Sequence, residues 1–290
     1  MTPEAAELHL FDALAWRLSR ALPGLHTGAQ AGRMRGAGDS FADVAPLLAH
    51  PDPRRLDLRR SVTDPFGTLS VRRFQTRTDL RLHVLLDASA SLAAGAGADR
   101  VGLARLLVAG FVQAARRGQD LFSLEVCCGD VLAHREPPSR RPGLGAELLA
   151  ILDGLPPQGQ GIGALLAAAA DLPSDRILVV LISDFDLAPS ELADLLASLR
   201  PRPVLPVWLR DRGLENPDPR FGLIDALDPE TGRRRTQLAT PRWAARQVAA
   251  ARAGRSALRG VFAEHGLRPV EIADSIDVAD LAARLDEAPL

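Results

Sequence analysis

The sequence predicts an α/β protein with a doubly wound, mostly parallel sheet. Three observations predict it. Short apolar runs without polar alternation, above all 177–182 (I-L-V-V-L-I), read as strands covered on both faces. Stretches of helical period separate these runs, and strand–helix alternation implies right-handed crossovers. Carboxylates and hydroxyls cluster directly after two of the runs. Those positions are the carboxyl ends of strands, where open α/β sheets bind their ligands.

Taken in order, residues 3–22 read as an amphipathic helix. Leu8, Phe11, Ala15 and Leu18 recur at helical spacing, and Pro23-Gly24 stops it. Mixed flanking charges favour core packing for this stripe over a membrane surface. Residues 24–78 are rich in turn residues and show little helical period. The run 81–86 is the first buried strand, and 100–116 is a helix. Two strands, 121–128 and 131–135, meet at the Gly129-Asp130 turn. A short helix (145–152), a Pro/Gly-rich loop (156–163) and a second helix (162–172) follow. The strand 177–182 leads to a helix over 189–199 and a strand over 204–209. Residues 221–238 read as two short strands around Pro229-Glu230-Thr231-Gly232. A long helix (241–266), a last strand (268–273) and a last helix (278–285) bring the chain back to the sheet. Residues 79–290 are therefore expected to form one domain with a hairpin insertion near 221–238. Residues 1–78 are expected to be a helix and an extension packed on the sheet.

Composition excludes several chemistries. All 35 basic residues of the 290 are Arg, and without Lys there is no P-loop and no Schiff-base lysine. The net charge of −1 gives no global field to attract nucleic acid. Cys127 and Cys128 are neighbours, a poor geometry for a disulfide and too few for a zinc framework. No apolar run reaches the length that spans a bilayer. Glu4, Glu7 and Asp12 interrupt the first twenty residues, so no signal peptide is expected and the expected location is cytoplasmic.

Two loops carry the candidate chemistry. Asp87-Ala88-Ser89-Ala90-Ser91 follows the first strand, and Ser183-Asp184-Phe185-Asp186 follows the most apolar one. The D-x-S-x-S spacing resembles the first loop of the von Willebrand factor A family. In that family a carboxylate and two hydroxyls help hold a divalent cation at the metal-ion-dependent adhesion site. A wider set of blocks resembles the bacterial "domain of unknown function 58" family. These are Arg35-Gly36-Ala37-Gly38-Asp39-Ser40-Phe41, then Pro51-Asp52-Pro53-Arg54-Arg55-Leu56-Asp57-Leu58, then Leu69-Ser70-Val71-Arg72-Arg73-Phe74 and Ser183-Asp184-Phe185. The chain departs from the family at His50-Pro51-Asp52-Pro53, at Leu58 in place of a Trp, and in lacking a Tyr before that turn.

The resemblance implies a sheet in the order 3-2-1-4-5-6, with 81–86 beside 177–182, 121–128 on its other flank and 268–273 at an edge. It implies metal ligation by Asp87, Ser89, Ser91 and Asp184, the last usually through water. The second loop of such a site normally adds a Thr hydroxyl. Here the matching stretch, residues 159–165, has none, and Gln160 offers only an amide oxygen. Mg²⁺ demands an octahedron of oxygens, so weak binding or none is expected and the site reads as degenerate. The face formed by Asp87, Ser89, Ser91, Gln160, Asp184 and Asp186 is the expected partner contact. Family members are commonly associated with MoxR-type AAA+ ATPases, which implies such an ATPase or its client as partner.

The function expected is thus a non-enzymatic interaction or assembly module. One alternative is a metal-dependent phosphatase or hydrolase using Asp87. Such enzymes need a second Asp two residues on, where this chain has Ser89. The other is nucleic-acid binding through Arg54, Arg55, Arg59, Arg60, Arg72 and Arg73. Pairing of these with Asp52, Asp57 and Asp64 explains the cluster without nucleic acid. Neither nucleic acid nor membrane insertion is expected.

Overall fold

The structure, a computed structural model, describes residues 35–36, 40–49, 52–75, 81–95, 97–173, 177–217, 221–227, 233–273 and 275–276. The helices expected over 3–22 and 278–285 lie outside the described residues. Contacts divide the chain into two compact units, of which Gly24–Leu80 is one.

Within that unit, β1 (Arg35–Gly36), β2 (Ser40–Pro46) and β3 (Ser70–Gln75) form an antiparallel sheet in the order β1-β3-β2. Between β2 and β3 comes the short helix α1 (Leu58–Thr63), capped by the Asp57 carboxylate on the Arg60 amide. The arginines here pair locally, Arg72 with Asp57 at 2.9 Å and Arg55 with Asp52 at 3.4 Å. Asp64 behaves differently from expectation. It accepts from the Phe66 and Thr68 amides and closes the turn into β3.

The other unit is built on a six-stranded sheet. Its strands are β4 (Arg81–Asp87), β5 (Leu121–Cys128), β6 (Val131–Ser139), β7 (Ile177–Ser183), β8 (Val204–Arg210) and β11 (Val270–Ala273), in the spatial order β11-β8-β7-β4-β5-β6. Counted along the chain, that is the expected 3-2-1-4-5-6. All neighbours are parallel except β5 and β6, which the Gly129-Asp130 turn joins as a hairpin. Every residue of β7 is buried, as a central strand covered on both faces requires. The edge strand β6 runs four residues past the expected end, through Pro137 and Pro138. Prolines cannot donate to a ladder, but an edge strand has one side with no ladder to serve.

Helices cover both faces. On one face lie α3 (Arg100–Gly118) and α4 (Leu144–Asp153). On the other, α5 (Gly163–Asp171), α6 (Pro189–Leu199) and α8 (Pro241–Glu264) enclose a core that includes Leu85, Val179, Leu181, Leu165, Leu195 and Phe262. Short helices α2 (Ala90–Ala93) and α7 (Arg212–Glu215) follow β4 and β8. The two strands read around Pro229-Glu230-Thr231-Gly232 form an antiparallel pair, β9 (Gly222–Leu227) with β10 (Arg234–Ala239). The fold is therefore a doubly wound α/β domain of the von Willebrand A/Rossmann kind.

Candidate functional site

The first and third loops leave the carboxyl ends of β4 and β7, which pair directly in the sheet. Their side chains form one continuous hydrogen-bonded cluster. Ser183 Oγ donates to Asp87 Oδ2 at 2.7 Å, and the Ser89 amide donates to Asp87 Oδ1 at 3.0 Å. The Ser89 and Ser91 hydroxyls share a hydrogen bond of 3.0 Å, and Ser91 Oγ donates to Asp184 Oδ1 at 3.3 Å. Asp87, Ser89, Ser91, Ser183 and Asp184 are all buried. Asp87, Ser89, Ser91 and Asp184, four of the six residues expected at the site, lie together in this cluster.

The third loop owes its shape to Phe185, a non-glycine residue at φ +49°. The Phe185 amide donates to Ser183 Oγ at 2.8 Å, and Trp208 Nε1 donates to the Asp184 carbonyl at 2.9 Å. The Phe185 ring packs edge-on against Trp208 and Phe262, with centroids 6.0 and 5.2 Å away. Burial of the ring and these bonds offset a left-handed conformation that costs about 1–2 kcal/mol. The turn leaves Asp184 buried and Asp186 exposed.

The second loop reaches the first through backbone. The Gln158 amide donates to the Ala88 carbonyl at 3.0 Å, and the Ala90 amide to the Gly159 carbonyl at 3.2 Å. Gly159 sits at φ +82°, and a Cβ there would stand 2.7 Å from the Cys128 carbonyl oxygen, so only glycine fits. Gln160 is exposed on this loop. Asp130 accepts from the Gly163 amide at 2.9 Å and so caps α5.

Sequence reasoning missed the residue that completes the cluster. Arg100, the first residue of α3, donates from Nη1 to Asp184 Oδ2 at 2.9 Å and from Nη2 to the Ser91 carbonyl at 2.6 Å and the Ala94 carbonyl. Both side chains of the ion pair are buried, at 7% and 2% exposure. One signal pointed to it. A cation in the first turn opposes the helix dipole, so Arg directly after the Asp99 cap asks for a local carboxylate. Asp211, at the end of β8, was also missed. It accepts from the Gly97 and Ala98 amides and from those of Gly213 and Leu214.

Burial sets the electrostatics. It pushes the Asp87 carboxyl up, against the bonds from Ser183 and Ser89. It raises Asp184 to about 6, helped by Asp87 and opposed by Arg100. Burial also pushes the Cys127 thiol up to about 12 and Cys128 in the same direction, so neither is a thiolate nucleophile at neutral pH. Beside the cluster a cleft of about 610 Å³ opens between the third loop and α8, lined by Asp186, Leu187, Trp208, Leu214 and Leu258 among others.

A protein described as an uncharacterized protein in the moxR 3' region of Paracoccus denitrificans is 67% identical over 104 residues, which cover 36% of this chain and 99% of that protein. The chain belongs to the family of that moxR-region protein. No protein-family model matches this chain. Among solved structures it is similar to the conserved hypothetical protein BatB of Bacteroides thetaiotaomicron, at 15% identity and a TM-score of 0.43 over 72% of this chain and 97% of that one. It is also similar to an aerotolerance-related membrane protein of Bacteroides fragilis NCTC 9343 carrying multiple mutations to serines, at 17% identity and a TM-score of 0.41 over the same shares. Among the described residues of this chain, no helix is long and apolar enough to cross a membrane.

Proposed function

We propose that this chain is a non-enzymatic interaction and assembly module of the "domain of unknown function 58" type, working in the cytoplasm with a MoxR-type AAA+ ATPase on a client complex. The observation that carries the reading is the crevice itself. Loops from adjacent parallel strands meet there, yet their carboxylates are bonded internally and not presented to a reactant. The relative's position in a moxR 3' region supports the choice of ATPase. The ordered blocks from Arg35 to Phe74 and Ser183 to Phe185 support the family.

The site is a degenerate adhesion site. Its donor set fits Mg²⁺ poorly: Asp87 is engaged on both oxygens, the two hydroxyls serve each other and Asp184, and the second loop brings only backbone near them. No group of three or more His, Cys, Asp or Glu side chains suited to a metal occurs among the described residues. The phosphatase reading needs an accessible nucleophile, and Asp87 is 5% exposed. The nucleic-acid reading loses support where Arg72 and Arg55 pair with Asp57 and Asp52.

Partner contact then falls to the exposed rim. Asp186 and Gln160 flank the buried cluster, and the cleft beside Asp186 has room for partner side chains. Since Asp184 is buried in an ion pair, its charge reversal would test folding. Asp186 is the informative position. Asp186→Arg should leave the thermal midpoint within about 2 °C of wild type. It should reduce recovery of the ATPase or its client in a pull-down from the native bacterium about tenfold, as loss of a contact worth about 1–2 kcal/mol does. A folded Asp186→Arg protein that retains every partner at wild-type levels would contradict the assignment of this face.

A further inference from the structure

We infer that Arg100 is a built-in cation, which takes over at this crevice the work that a divalent ion does in adhesion-type sites. The inference rests on reading the crevice as an adhesion-type scaffold, and is independent of which partner binds it.

Three observations carry it. The first is connectivity. A metal in such a site ties separate loops together through oxygen ligands. The Arg100 guanidinium does the same with hydrogen bonds, donating to the Ser91 and Ala94 carbonyls of the first loop and to the Asp184 carboxylate of the third. All its bonding partners are oxygens, as those of a hard cation are. The second is placement. Arg100 opens a helix of 19 residues, where the dipole disfavours positive charge, and its side chain is buried. A buried guanidinium at that end is stable only if a carboxylate holds it, and Asp184 does so at 2.9 Å. The third is occupancy of the donors. With Arg100 in place, Asp184 Oδ2, Asp184 Oδ1 and both Asp87 oxygens are already engaged. A cation entering between the two carboxylates would meet the guanidinium first and be repelled by it.

Two consequences follow. The assembled crevice keeps its shape in the absence of divalent metal. Removing the guanidinium frees Asp184 Oδ2 and takes away the repelling charge, leaving two buried carboxylates linked through the Ser89 and Ser91 hydroxyls, whose mutual hydrogen bonds a small divalent cation can then replace. The arginine thus masks a latent metal site.

Thermal unfolding of the full chain tests this with Mn²⁺ and Mg²⁺ as probes, in EDTA and at about 1 mM cation, a range suited to weak oxygen-ligand sites. Wild type should shift by less than about 1 °C between these conditions, the result for a protein that binds no ion in its folded form. Arg100→Met keeps the length of the side chain and removes its charge. Its midpoint should fall by about 10 °C in EDTA and recover by about 5 °C in Mn²⁺. The double variant Arg100→Met/Asp184→Asn keeps the test alive if the single variant does not fold. It removes the uncompensated charge, so it should fold, stand above Arg100→Met in EDTA and ignore Mn²⁺. Wild-type protein stabilised by about 5 °C at micromolar Mg²⁺ or Mn²⁺ would overturn the inference. So would a folded Arg100→Met indifferent to both ions, or a double variant no more stable than the single one. None of these readouts involves a partner, so their failure is separate from a failure of the partner assignment.

Discussion

Phe262→Ala is expected to destabilise the domain by about 3–5 kcal/mol, the range for emptying a fully buried aromatic site. Phe262 is 0% exposed and lies near the end of α8, a 24-residue helix with only three buried residues, the others being Ala244 and Leu258. The helix therefore depends on very few side chains for its hold on the sheet. Phe262 also stacks edge-on against Phe185 and tilted against Trp208. Its loss removes the ring that holds Phe185 in its left-handed turn, so the third loop should loosen together with α8. Urea unfolding measures the global cost, and Phe262→Leu should cost about half as much because it refills part of the volume. A loss below about 1 kcal/mol for Phe262→Ala would mean that α8 is not docked through this residue.

His83→Gln is expected to remove about 3 kcal/mol of acid sensitivity. His83 is buried in β4, with Nδ1 bonded to Ser123 Oγ at 2.8 Å and Nε2 buried without a partner among the described residues. Burial holds its pKa down at about 4, with Arg135, Arg81 and Arg202 adding repulsion. The folded state therefore prefers the neutral ring. Its contribution is complete above the ordinary value of 6.5 and is lost as pH falls toward 4, because only the unfolded chain takes up a proton in that window. At about 1.4 kcal/mol per unit, this shift is worth about 3 kcal/mol. Asp184, raised to about 6, acts in the opposite sense, since the folded state holds its proton more tightly. Several groups thus contribute to the wild-type profile, and the informative quantity is the difference between wild type and variant. Urea midpoints from pH 7 to pH 4 should converge or cross, with the variant gaining relative stability in acid. Parallel profiles would mean that His83 titrates alike in both states.

Much of the sheet was legible because parallel strands buried on both faces need uninterrupted apolar runs, and 81–86, 177–182 and 204–209 supply them. The first and third loops were legible for the same reason: each begins where such a run stops. The end of β6 was not, since Pro137 and Pro138 argue against a strand unless its edge position is known. Nor was β2, where a register shift between Phe41 and Asp43 breaks the alternation that marks an antiparallel strand. Arg100 is the instructive miss. Among 35 arginines a single one carries no compositional signal, and its partner lies 84 residues away. Only its conflict with the helix dipole marks it in the sequence. The Asp87–Ser183 bond was hidden likewise, because the hydroxyl precedes the acidic residue that drew attention.

The crevice at the ends of β4 and β7 is the proposed protein-contact surface. Hydrogen exchange of the purified chain, alone and with a MoxR-type ATPase, reads contact at this surface directly. Exchange should slow on binding at the backbone of 88–94, 158–163 and 184–188, with and without EDTA, and the slowing should disappear with Asp186→Arg. Binding that protects other segments and leaves these three unchanged would contradict the claim.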